Sequence, residues 1–116
     1  MSITISRFEF PLKKAEYLLN YQVESGKGGD KQRFWREVMG FQSAEVLRNI
    51  LLAEVSGDLL QSSGQNDYGK LYEAIMGITG PAEISFQVRT IWIVLFDQDI
   101  ARFVTAYPER RKKRKE

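Results

Sequence analysis

The sequence predicts an α+β domain, with about three N-terminal helices packed on a C-terminal antiparallel sheet of three to four strands. Apolar residues in the first half recur at helical spacing. The second half holds runs of β-branched and aromatic residues with a period of two. Turn signals link those runs as hairpins, which places the helices on one face of the sheet.

Pro11 precedes Leu12, Ala15, Leu18 and Leu19, which fall on one helical face, and Asn20 ends this first helix. The segment 24–30 is a glycine-rich loop, and Asp30 is placed to cap a short helix through Met39, closed by Gly40. Ser43 caps a third helix, with Val46, Leu47, Ile50, Leu51 and Val55 on its apolar side and Gly57 at its end. Leu59–Gln61 is a weak strand, and Ser62–Asp67 is a polar turn. Lys70–Thr79 is the next strand, followed by the Gly80-Pro81 turn. Glu83–Phe96 is the clearest strand. Ile84, Phe86, Val88, Thr90, Trp92 and Val94 line one face, and Ser85, Gln87, Arg89, Ile91, Ile93 and Leu95 line the other. Asp97–Asp99 turns the chain, and Ile100–Tyr107 returns until Pro108 stops it.

The chain has 116 residues, 43% hydrophobic and 28% charged, which suits one domain with a modest core. Residues 1–108 read as that domain and 109–116 as a disordered basic tail. Segment 110–116, RRKKRKE, carries +5, so the remainder carries −3 of the net +2. The tail is thus a nucleic-acid anchor or a solubilising terminus; Arg110, Arg111, Lys112 and Lys113 would neutralise phosphates. The absence of cysteine excludes disulfides and thiolate chemistry, and the absence of histidine excludes Ser-His triads and paired-histidine ribonuclease chemistry. No segment has the length of a membrane span or the form of a signal peptide, so a cytoplasmic protein without membrane contact is expected. No cofactor fingerprint is present, and no cofactor or metal is expected. Asp97 and Asp99 read as hairpin-turn residues, and Trp35 and Trp92 as core.

Three sets of residues are suited to chemistry. Gly26, Gly28 and Gly29 permit close approach of an anion, with Lys27, Lys31 and Arg33 supplying charge; the same segment also reads as a plain connector into a capped helix. Arg89 sits mid-strand among apolar residues, where a charge needs a partner or water. Arg102, on the adjacent strand, would complete a phosphate clamp if the two guanidiniums share a face. Thr105 and Tyr107 point to one side of the last strand, with a hydroxyl for a phosphate oxygen and a phenol for stacking or proton transfer. Tyr107 equally suits core packing.

Gly29-Asp-Lys31-Gln-Arg-Phe34-Trp35, Arg89-Thr90-Ile-Trp92 and Thr105-Ala-Tyr107-Pro108 occur in that order, with Met39-Gly-Phe41 and Tyr68-Gly69 between. The set resembles an uncharacterised bacterial and phage small-domain family across residues 8–108. Trp35 stands where such relatives often carry a second phenylalanine. The order of elements is similar to that of the barnase–EndoU–colicin–RelE superfamily of metal-independent ribonucleases. The resemblance implies a toxin of a toxin–antitoxin or phage-related system, cleaving RNA by 2′-hydroxyl attack and held by a small antitoxin-like partner. It carries over to Lys31, Arg89, Thr90, Thr105 and Tyr107. On this reading Arg89 and Lys31 stabilise developing charge, Thr105 orients a phosphate oxygen, and Lys31 or Tyr107 moves a proton. Catalysis would rest on Lys31, Arg89, Thr105 and Tyr107. Phosphate binding would rest on Lys27, Arg33, Thr90, Arg102 and the tail. The alternative is a non-catalytic module that binds RNA or protein.

Overall fold

The β-branched run after Ile84 forms the central strand of a five-stranded sheet. The computed structural model describes residues 4–20 and 33–109. In chain order the elements are β1 (Arg7–Glu9), α1 (Leu12–Asn20), a π-helical turn (Phe34–Val38) and α2 (Ala44–Glu54). A 3₁₀ turn (Gly57–Leu59) then leads to β2 (Gln61–Gln65), β3 (Gly69–Thr79), β4 (Ser85–Leu95) and β5 (Ile100–Pro108). The spatial order is β1-β5-β4-β3-β2.

This corrects the expected architecture in three ways. The sheet has five strands rather than three or four. It is mixed, because β1 runs parallel to β5 while the other pairs are antiparallel. Its first strand precedes the helices, so helices and strands are not segregated along the chain. β1 is three residues long and has no local pattern to reveal it; Phe8 seats against the core while Arg7 and Glu9 face the other way. The polar segment expected as a turn at Ser62–Asp67 is mostly β2, an edge strand in which every residue is exposed. Such a strand needs no apolar alternation, because both of its faces are wet. Leu59, expected in a strand, lies in the 3₁₀ turn.

The first and third helices form where expected, although Val46, expected on the apolar side of the third, is exposed. Ser43 Oγ accepts from the Val46 N–H at 3.2 Å and caps α2. α2 ends at Glu54, three residues before Gly57. The short second helix is described only from residue 33, and its core is a single π-helical turn; the Asp30 cap lies outside the described residues. Gly40 follows with φ +83, a conformation that favours glycine.

Helices cover one face of the sheet. Ala15, Leu18 and Leu19 of α1 and Leu47 and Leu51 of α2 are buried with Met76, Ile78, Val88, Trp92, Val94, Ala101 and Phe103 of the sheet. Phe10 stacks on Phe103 at 3.8 Å between ring centroids, and Trp92 meets Phe8 and Phe103 edge-on at 5.3 and 5.4 Å. The other sheet face has no element packed on it among the described residues.

A β-bulge in β5 decides which side chains reach that open face. Trp92 pairs with Phe103 but Ile91 pairs with Thr105, so one extra residue, Val104, is accommodated. Strict alternation would put Thr105 and Tyr107 on the helix side with Phe103. The bulge turns them to the open side, where Arg102 already points.

The β3–β4 turn is clasped to the segment after the π-helical turn. Ala82 N–H donates to Met39 O at 3.1 Å, and Gly80 packs so closely that a Cβ there would lie 2.3 Å from the same oxygen. Gly80→Ala is therefore expected to destabilise the protein by about 1–3 kcal/mol through forced separation of packed backbone. Urea unfolding checks this; an unchanged midpoint would show that the clasp is not tight.

Candidate functional site

The open face of β4 carries Arg89 in the middle of an aliphatic surface. Its cross-strand neighbours are Ile75 on β3 and Tyr107 on β5, and Ile91 follows two residues along the strand. A lone guanidinium here would be poorly matched to its surroundings. Two carboxylates meet it. Glu109, the residue after β5, takes a two-pronged grip: Arg89 Nε donates to Oε1 at 2.7 Å and Nη2 donates to Oε2 at 2.8 Å. Arg89 Nη1 donates to Glu73 Oε1 on β3. Planar two-point pairing of this kind is the strongest common arginine–carboxylate geometry.

The three side chains are only 23–27% exposed. The hydrogen bond to Glu109, then that to Glu73, raises the Arg89 pKa further above its ordinary value, so the guanidinium is permanently charged. The hydrogen bond from Arg89 holds the Glu109 carboxyl below the usual carboxylate range. One cation between two anions leaves the group with a surplus negative charge at neutral pH.

Tyr107 stands directly opposite Arg89, and Thr105 opposite Ile91, so both share the open face with it. Arg102 shares that face but sits opposite Ile93, four residues along β4 from Arg89. It pairs with Glu9 at 3.2 Å, and Glu9 also accepts from Arg7 at 2.7 Å. The two guanidiniums therefore have separate carboxylates rather than forming one clamp. Thr90 lies on the other face and is fully buried. Its hydroxyl donates to Ala74 O at 2.9 Å and accepts from Trp92 Nε1 at 2.8 Å, so it is committed to the core. Arg33 is exposed at the entry to the π-helical turn, whose backbone is continued by Met39 N–H donating to Phe34 O at 2.9 Å. Lys27, Lys31, Arg110, Arg111, Lys112 and Lys113 lie outside the described residues.

Sequence reasoning missed Glu73 and Glu109. The signal for them was Arg89 itself, because a charge in an apolar strand demands a partner on an adjacent strand. Glu73 lies on the expected neighbouring strand, and Glu109 follows Pro108.

Residues 5–110 match the model of a domain of unknown function, DUF6883. The chain belongs to that family. Among curated protein sequences none matches it. In three dimensions it is similar to one chain of a contact-dependent growth inhibition toxin–immunity protein complex from Klebsiella pneumoniae 342. The TM-score is 0.68 at 16% identity, over 86% of this chain and 98% of that one. At that identity the likeness is one of fold. No helix among the described residues of this DUF6883 domain is long and apolar enough to cross a membrane.

The Glu109 shift sets an acid limb of stability. A carboxyl held low in the folded state stabilises it fully above the ordinary carboxylate range. That contribution fades as pH falls through the depressed folded value. Glu9, held low first by its hydrogen bond from Arg7, acts with the same sign. The melting temperature of the wild type is expected to fall below about pH 4.5 more steeply than that of Glu109→Gln. Parallel curves from thermal melts across pH 2–7 would show that the pair adds nothing to folding.

Proposed function

We propose that this domain is the toxic part of a growth-inhibition or phage-related system and cleaves RNA without a metal, by attack of the 2′-hydroxyl on the adjacent phosphate. The observation that carries the reading is the open sheet face. It brings Arg89, Tyr107 and Thr105 together by way of the β5 bulge, in a fold similar to a chain of a toxin–immunity complex. A cationic fork beside a phenol and a hydroxyl matches the needs of a histidine-free ribonuclease. The crowded negative charge of the phosphorane needs a fixed cation, and the leaving oxygen needs a proton.

In this scheme the Arg89 guanidinium stabilises the phosphorane oxygens. Glu73, fixed inside β3, holds the guanidinium in place. The Thr105 hydroxyl donates to a phosphate oxygen, and Tyr107 or Lys31 moves the proton. The tail residues Arg110–Lys113, with Lys27, Arg33 and Arg102, attract the RNA backbone. A small cognate protein that covers the face would neutralise the activity.

One observation favours the non-catalytic alternative, a module that binds RNA or protein. Arg89 is already satisfied by two carboxylates, so its cluster carries a surplus negative charge beside exposed aliphatic residues.

Inducing the protein in a bacterium separates the two. Wild type is expected to arrest growth and produce new RNA fragments, whereas Arg89→Ala and Tyr107→Phe, purified and shown to be folded, slow cleavage about 10²–10³-fold. Cleavage by the purified wild type should persist in EDTA. Intact RNA and normal growth with the wild type would favour the binding module.

A further inference from the structure

The grip of Glu109 on Arg89 uses the guanidinium edge that two-point recognition of a phosphate requires. Nε and Nη2 are the parallel donors of that edge, and both are taken by the two oxygens of one carboxylate. The two carboxylates on Arg89 are not equivalent in their anchoring. Glu73 belongs to the interior of β3, paired on one side with β4 and on the other with β2, so its backbone is fixed. It meets Nη1, away from the Nε/Nη2 edge. Glu109 lies beyond the end of β5 and is tied to the sheet through its own N–H, which donates to Gln87 O at 2.8 Å. In the sequence it is followed at once by six consecutive basic residues, Arg110 to Lys115.

We propose that Glu109 is a built-in phosphate mimic that gates the Arg89 fork, and that a phosphodiester strand displaces it. The inference rests on the reading of the open face as a phosphate-binding surface, and it adds the regulation of that surface. With Glu109 in place, the cluster has surplus negative charge and repels phosphate. A nucleic-acid strand first engages the basic run, which attracts it by counterion release. The same strand then delivers a phosphate to Nε and Nη2, and the carboxylate directly attached to that run leaves. Glu73 stays and keeps the guanidinium pointed at the open face. The gate gives discrimination, because an isolated small anion competes with a tethered carboxylate at high effective concentration. A strand that occupies the tail and the fork together does not.

The test is a binding measurement on the full chain, with a fluorescent single-stranded DNA decamer as probe. It lacks the 2′-hydroxyl and cannot be cleaved by 2′-hydroxyl attack, so the outcome is independent of whether the domain is a nuclease. Glu109→Gln keeps the shape and removes the charge, and is expected to bind the probe about tenfold more tightly than wild type. Inorganic pyrophosphate should compete with the probe for Glu109→Gln and hardly at all for wild type. The gain should disappear in Glu109→Gln/Arg89→Ala. Glu109→Ala serves as a second variant, and thermal melts show that each protein is folded. Equal or weaker binding by both Glu109 variants would overturn the gate, as would a gain that survives loss of Arg89. Absence of RNA cleavage by wild type and Glu109→Gln alike, with the binding gain intact, would sink the nuclease reading and leave the gate standing.

Discussion

The hydroxyl of Thr90 is the polar point around which the helix-facing core is built. It donates to Ala74 O across to β3 and accepts the Trp92 indole N–H from its own strand. An indole N–H buried without an acceptor would cost about 1–3 kcal/mol, and the hydroxyl removes that cost. With its N–H satisfied, the ring is free to take Phe8 and Phe103 edge-on. Phe8 belongs to β1 and Phe103 to β5, so this one cluster joins the parallel addition of β1 to the antiparallel meander. Fixing Thr90 and Trp92 inward also fixes Arg89 and Ile91 outward, because side chains in a strand alternate. The chemistry on the open face depends on the hydrogen bonding of the closed one.

This explains which parts of the molecule the sequence made legible. β4 announces itself, since eleven residues rich in β-branched and aromatic side chains leave little choice of conformation or of face. The Gly80-Pro81 turn announces its pairing with β3. β1 and β2 carry no comparable signal. Arg7-Phe8-Glu9 is stabilised by a partner more than ninety residues away, and Gln61–Gln65 by an edge position that asks nothing of its side chains. β1 is set by long-range pairing and β2 by its hairpin with β3, rather than by local preference. The bulge in β5 is equally silent in the sequence, although it alone turns Thr105 and Tyr107 to the open face.

Within the candidate site, the residue types were legible and their company was not. Arg89 stood out because its neighbours in sequence are apolar. Thr90 entered through the Arg89-Thr90-Ile-Trp92 motif, and strand alternation takes it to the other side of the sheet. Arg102 was expected beside Arg89 and does lie on its face, but the register sets it opposite Ile93 with a carboxylate of its own. A helical motif would have kept neighbours in sequence near one another in space. A strand motif separates them by face, and only pairing register reunites them.

The Arg89 cluster is a poor stabilising device, and that bears on why it exists. Ion pairs still open to water contribute little to stability, and a second carboxylate on one guanidinium adds repulsion between the anions. Ile75 and Ile91 beside it show that an aliphatic side chain fits this part of the face. A leucine at position 89 would extend the aliphatic surface without stranding a charge, provided both glutamates were replaced as well. Stability therefore gives no reason to keep three ionised groups together here. The β3 carboxylate is rigid, and the chain-end carboxylate is attached to the most cationic segment of the chain. The Nε and Nη2 edge of Arg89 is occupied by the carboxylate of that chain-end residue. An arrangement that contributes little to stability is better explained by what it binds than by what it holds together.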